Sequence, residues 1–188
     1  VLNYIENMYN RIKPTGFTKH YLTLFAIVEG LETKNSFEFG TGWSTKVILD
    51  ALKYTGGKHI SCDIRKVEDT GLTKEFLKNN INTWTYLQQD STTIDYDSLP
   101  LFDFVLHDGS HIPEIVRTDL LNIFPHIKHN GIILVHDTLF VPELKIVCED
   151  IAVDSWSNMV TLPYGYGLTI INVNNEELNE EIKTTWKK

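Results

Sequence analysis

The sequence predicts an α/β fold: a seven-stranded, mostly parallel sheet with an antiparallel last strand and helices on both faces. Three observations predict it. Short apolar runs alternate with helix-period segments through most of the chain, the signature of βαβ units wound into a right-handed parallel sheet. Acidic residues recur where those runs end. Near the end of the chain two apolar runs are separated by only the five residues Pro163-Tyr164-Gly165-Tyr166-Gly167. That is too short for a parallel crossover, so the two runs read as a hairpin.

The elements follow in order. Ile5, Met8, Tyr9 and Ile12 share one helical face, and Tyr21, Leu24, Phe25, Val28 and Leu31 share another. Lys13-Pro14-Thr15-Gly16 breaks the helix between them. Strands are then expected at 36–39, 59–62, 83–87, 102–106, 132–135, 158–162 and 168–173, with helices near 44–54, 73–80, 112–127 and 142–156. In the helix expected over 112–127, Ile112, Ile115, Val116, Leu120, Ile123, Phe124 and Ile127 keep the helical spacing, while Glu114, Arg117 and Asp119 take other positions. Pro142 followed by Glu143 suits a first helical turn, where proline gives up no hydrogen bond. The tail over 174–188 is charged and compatible with a final helix.

With 188 residues, 42% of them hydrophobic and 22% charged, the chain fits one domain with a real core. A formal net charge of −8 argues against nucleic acid and anionic membrane surfaces as partners. Arg11, Lys13, Lys19 and His20 read as a solvated face rather than a basic patch. Cys62 and Cys148 read as two buried thiols in a reducing compartment. No apolar run has the length to cross a bilayer, and the first residues lack the layout of a signal peptide, so a cytoplasmic location is expected. Self-association into a homo-oligomer stays open.

The acids carry the functional signal. Glu38 lies inside the first run, Asp63 ends the second, Asp90 follows the third, Asp108 ends the fourth and Asp137 ends the fifth. In open α/β sheets ligands bind at this carboxyl edge, where the strand order reverses. A single acid there is more often a helix cap. Five in succession suit a ligand with cationic and hydroxyl groups. After the first run, Gly40-Thr41-Gly42-Trp43-Ser44 gives a sharp turn leading into a helix N-terminus. Position 45 is Thr where the dinucleotide fingerprint has its third Gly. Asp63 follows Gly42 by about 20 residues, the distance at which an acid holds ribose hydroxyls.

Glu38-x-Gly40-x-Gly42 resembles motif I of the class I S-adenosylmethionine-dependent methyltransferases, which have a Rossmann-like fold, and the resemblance runs from about Ser36 to Val173. The chain is similar in particular to a small subgroup whose fourth strand ends in Asp-Gly-x-His, here Asp108-Gly109-Ser110-His111, and whose fifth follows a Gly and ends in an acid, here Gly131 and Asp137. The resemblance implies one methyltransferase domain over 1–188, with N-terminal helices in 1–35, a cofactor-binding core in 36–173 and the charged tail beyond. It implies S-adenosylmethionine as cofactor. Glu38, Gly40, Thr41, Gly42 and Ser44 would cradle its amino acid end, Asp63 its ribose, and Asp90 with Ser91 its adenine edge. Asp108 would lie under the methionine part.

For a hydroxyl acceptor the proton must leave, and His111, at a helix start on the ligand edge, is the candidate base beside Asp108. His107 and His136 flank the same edge and read equally well as packing residues. Several O-methyltransferases of this fold hold Mg²⁺ through acids after strands four and five, here Asp108 and Asp137, with a third acid or Asn directly after. Thr138 departs from that pattern. Trp43, Phe140, Tyr164 and Tyr166 are candidates to line an acceptor pocket, and Trp84, Trp156 and Trp186 are left to core or surface. The expected function is O-methylation of a small polar acceptor, such as a sugar or metabolite hydroxyl. The alternatives are a non-catalytic cofactor-binding or assembly module and an NAD-dependent oxidoreductase; the Thr at position 45 and the lack of a helical Tyr-x-x-x-Lys pair count against the latter.

Overall fold

The computed structural model describes residues 16–174. The helix expected around Ile5 to Ile12 and the tail beyond Asn174 lie outside them. In chain order come α1 (Tyr21–Gly30), β1 (Asn35–Phe39), α2 (Trp43–Thr55), β2 (Lys58–Asp63), α3 (Lys74–Asn79), β3 (Trp84–Gln88), β4 (Phe102–His107), α4 (Pro113–Ile123), β5 (Ile127–His136), α5 (Pro142–Asp154), β6 (Asn158–Leu162) and β7 (Leu168–Asn172). The strands form one seven-stranded sheet in the order β3-β2-β1-β4-β5-β7-β6. β7 alone runs against its neighbours, pairing antiparallel with both β5 and β6. The expected hairpin and the antiparallel last strand are both present.

The sheet is buried on both faces, so its central strands are nearly continuous apolar runs. On one face, Val116, Leu120 and Ile123 of α4 and Leu144, Val147 and Ile151 of α5 pack on Phe37, Val105, Ile133 and Ile171. On the other, Leu24 and Val28 of α1 and Val47, Ile48 and Leu52 of α2 pack on Phe104, Leu106 and Leu134. Burying each such side chain contributes about 1.5–3 kcal/mol, which is why the helical stripes decide where the helices dock. Trp84 is 1% exposed and donates from Nε1 to Ser61 Oγ, whereas Trp156 is on the surface. Cys62 and Cys148 are buried and free, as expected.

One boundary differs. The helical spacing runs on to Ile127, but α4 stops at Ile123 and a 3₁₀ turn over Phe124–His126 leads directly into β5. Pro125 sits in that turn; lacking an N–H and crowding the preceding residue, it ends the helix despite the apolar spacing. β5 is accordingly longer than expected and carries a register shift against β4.

The order of strands reverses between β1 and β4, and register fixes what lies there. Phe39 pairs with Cys62 and with His107, Cys62 with Leu87, and His107 with Val135. The next residues along that row are Gly40, Asp63, Asp108 and His136. The rim is thus set by pairing rather than by loops.

Candidate functional site

The first loop is held by backbone. Gly40 N–H donates to Cys62 O at 2.8 Å and Asp108 N–H to Phe39 O at 3.0 Å, lashing the ends of β1, β2 and β4 together. Gly40 has φ +85°, and a Cβ there would lie 2.6 Å from Asp108 O, so only glycine passes this point. Gly42 is extended and donates to Thr45 Oγ1 at 3.1 Å. Glu38 is fully buried beneath the loop. Its carboxylate accepts from Ser44 Oγ and Thr45 Oγ1, each at 2.5 Å, and from His59 Nε2 at 3.2 Å. Glu38 therefore braces the start of α2 from below, while Thr41, Gly42 and Ser44 line a small cavity of about 190 Å³ together with Phe17 and Tyr21.

A larger cavity of about 600 Å³ opens beside it, lined by Gly40, Asp63, Asp90, Ser91 and Asp108 among others. The exposed apolar side chains Ile64 and Ile112 also border it. Asp63 Oδ2 accepts from Thr41 N–H at 3.1 Å, and Arg65 clasps the same carboxylate through its backbone N–H at 2.9 Å and its guanidinium at 2.6 Å. Burial opposes the Asp63 charge, but these donors outweigh it and hold the carboxyl below its usual range. Asp90 caps the short turn after β3, accepting from Thr92 N–H at 2.9 Å and Thr92 Oγ1 at 2.7 Å through Oδ1.

Asp108 borders both cavities and begins a second group. His136 Nδ1 lies 3.1 Å from Asp108 Oδ1 and 3.2 Å from Asp137 Oδ1, and its Nε2 donates to Gly165 O at 3.0 Å. Both ring nitrogens face acceptors. Burial disfavours the charged ring, but the two carboxylates prevail and push its pKa up to about 9, so it bridges them as a cation. His111 Nε2 donates to Asp137 Oδ2 at 2.5 Å. Burial likewise opposes the Asp137 charge, and the two imidazoles hold that carboxyl below the ordinary range.

Asp108, His111 and Asp137 each offer one ligand atom, all within 4.8 Å of one another. Asp137 Oδ1 is buried and has no hydrogen bond despite the nearby ring. Two carboxylates, an imidazole and an unsatisfied oxygen fit a divalent cation. The third candidate ligand atom is on His111 rather than on residue 138: Thr138 is buried and its Oγ1 accepts from Thr169 Oγ1 at 2.9 Å.

The sequence reading missed three residues here. His20 is fully buried rather than on a solvated face, stacking on Tyr164 at 5.1 Å and donating from Nε2 to the same Gly165 O that His136 uses. A Cβ on Gly165, at φ +57°, would meet Gly16 O at 2.4 Å, so the start of the described chain and the β6–β7 loop are in close contact. Nothing in the local sequence marks His20. Arg65 had no signal beyond following Asp63 by two residues. Asp119 had one: it lies three residues after Val116 and four before Ile123, on the apolar stripe of α4, and is 2% exposed. Of the aromatic candidates, Phe140 and Tyr166 pack at 5.1 Å on this rim, Tyr164 lies over His20, and Trp43 borders the small cavity; all four keep exposed surface.

Solved structures share this architecture. SAH-bound methyltransferase PaMTH1 of Podospora anserina superposes with a TM-score of 0.71 at 12% identity, over 92% of this chain and 87% of that one. A Staphylococcus aureus protein assigned as a caffeoyl-CoA O-methyltransferase gives 0.68 at 12%, over 92% and 90%. MycE, from the mycinamycin biosynthetic pathway and in complex with Mg, SAH and mycinamycin VI, gives 0.60 at 19%, over 86% of this chain but only 50% of its own. At such identities the likeness carries the fold. Comparison with curated proteins gives no match. The sequence pattern of one family, described as a methyltransferase domain, matches residues 37–138, more than half of the chain. The chain therefore belongs to the methyltransferase domain family.

Proposed function

We propose that the chain binds S-adenosylmethionine along the carboxyl rim and transfers its methyl group to a hydroxyl of a small polar acceptor, such as a sugar or metabolite. One observation carries this reading: Asp108, a wall of both cavities, is joined through His136 to Asp137 and so to His111. Cofactor wall and candidate base form one connected unit. The adenosine half occupies the larger cavity, with its ribose at Asp63, its base between Ile64 and Ile112, and its adenine edge near Asp90 and Ser91. The amino acid end extends past Gly40 into the small cavity among Thr41, Gly42 and Ser44, which Glu38 braces. PaMTH1 and MycE are each solved with SAH, which supports a cofactor of this kind.

Methyl transfer is an in-line displacement: the acceptor oxygen bonds to the methyl carbon as the carbon–sulfur bond breaks, and the hydroxyl proton goes to a base. With Nε2–H committed to Asp137, His111 offers Nδ1 on a half-exposed ring to take that proton. Asp137 fixes the tautomer and steadies the imidazolium that forms.

A second reading rests on Asp137 Oδ1, which makes no hydrogen bond although the His136 ring lies 3.2 Å away. There Asp108, His111 and Asp137 would hold a divalent cation, which when bound would lower the pKa of the acceptor hydroxyl. The MycE complex contains Mg. In that case His111 is a ligand and not the base.

Thermal shift with S-adenosylmethionine, its demethylated product and NAD tests the cofactor; stabilisation by NAD alone overturns the proposal. Acceptor screening then looks for a product heavier by one CH₂. Tight cofactor binding with no transfer to any acceptor would favour a non-catalytic module. Transfer that is abolished by chelator and restored by Mg²⁺ assigns the cation, and transfer indifferent to chelator leaves His111 as base.

A further inference from the structure

Asp119 has one partner and one vacant oxygen. Its Oδ2 accepts from His107 Nε2 at 3.0 Å, while Oδ1 is buried with no hydrogen bond. The residue is 2% exposed, yet it is among the residues that line the large cavity, together with Cys62 and Ser91. A buried carboxylate oxygen with no donor is costly, so folded proteins retain one where a ligand supplies the donor. The protein's own nearby donors are committed elsewhere: Cys62 Sγ–H to Gln89 O at 3.2 Å and the Tyr96 hydroxyl to Ser91 O at 3.1 Å. His107 is itself fixed, stacked on Phe39 at 5.0 Å, so the carboxylate is held in one orientation. Asp90, the acid expected at the base edge, already uses Oδ1 to cap its own turn.

We propose that Asp119 Oδ1 accepts a hydrogen bond from the exocyclic 6-amino group of the bound base, making Asp119 the residue that selects a 6-aminopurine over a 6-oxopurine. The inference rests on the reading that this cavity takes the adenosine half of the cofactor. A 6-oxo group would bring an oxygen lone pair against a carboxylate and leave that carboxylate unsatisfied, and sites built for a hydrogen bond reject analogues that cannot make it. His107 determines what a substitution does. In Asp119→Asn, its Nε2–H takes the amide oxygen and turns the amide NH₂ toward the cavity, where it can donate to a 6-oxo group.

Calorimetry with S-adenosylhomocysteine and its inosine counterpart tests this on the wild type and Asp119→Asn, with circular dichroism to verify the fold. The wild type should prefer the adenosine compound by about tenfold or more. In Asp119→Asn the preference should narrow or invert. A purely structural Asp119 would change both affinities in proportion, and an unchanged ratio overturns the inference. If the variant does not fold, the adenosine-to-inosine preference is compared between the wild type and Asp90→Ala. A preference of about tenfold that persists in Asp90→Ala supports Asp119, and one that is absent in the wild type or lost in Asp90→Ala overturns the inference. Failure of the wild type to bind any of these nucleosides refutes instead the adenosine reading on which the inference stands.

Discussion

Two aspartates at opposite ends of β4 show how differently the two rims of the sheet treat a carboxylate. Asp103, near the amino end of β4, is saturated: Oδ2 accepts from Lys34 N–H at 2.8 Å and Asn35 N–H at 2.9 Å, and Oδ1 from Lys128 Nζ at 2.6 Å. Asp108, just past the carboxyl end of β4, shares a single histidine with Asp137, whose own Oδ1 is unsatisfied. The first acid ties β1 and β5 to β4. The second group keeps unspent hydrogen-bonding capacity, which is what a ligand site requires. Composition does not separate the two; partners do.

The comparison can be broken at either rim. The largest effect is expected from His111→Gln, which should lower kcat/KM roughly 100-fold or more while leaving the melting temperature almost unchanged, as for loss of a general base; retained activity would remove His111 from the chemistry. Next, Asp103→Ala should cost about 2–4 kcal/mol of stability in urea unfolding, because it strands two backbone donors and an ammonium, with cofactor affinity preserved. Burial opposes the Asp103 charge, yet Lys128 and the two amides hold its carboxyl below the ordinary value of 3.8. Its contribution is therefore full above that value and fades as pH falls through the depressed one. The stability gap between wild type and Asp103→Ala should be constant near neutrality and close only in acid. A gap that closes between pH 5 and 8 would show that another group is responsible. The smallest effect is expected from Asp63→Ala, which should weaken S-adenosylhomocysteine binding about tenfold without unfolding the domain. Unchanged affinity by calorimetry would free Asp63 from the ribose and leave it as the anchor for Arg65.

The parts legible in the sequence were those governed by local period and turn chemistry. Strand alternation, the Gly-rich loop after Leu162 and the acid at each strand end follow from residues close together in the chain, and register then carries the acids to one rim. Pro125 outweighed a helical stripe that continued past it. What stayed hidden depends on distant contacts. His20 meets its carbonyl partner across 145 residues. Asp119 looked solvated because acids usually are, although its place between Val116 and Ile123 put it on the buried stripe, facing His107. Glu38, expected to cradle a ligand, lies fully buried beneath the loop, and its bonds to Ser44 and Thr45 depend on a helix start that only the folded turn brings over it.

The strand order has a consequence for biosynthesis. β7 emerges from the ribosome after β6 yet threads between it and β5. A nascent chain that has reached Leu162 lacks only β7, which leaves the inner edge of β5 unpaired and His136 without its carbonyl acceptor. Closing that gap requires pairing across a long stretch of sequence, which is slow and leaves a sticky edge open meanwhile. This part of the rim is therefore completed late, when the final hairpin inserts and Gly165 reaches His136.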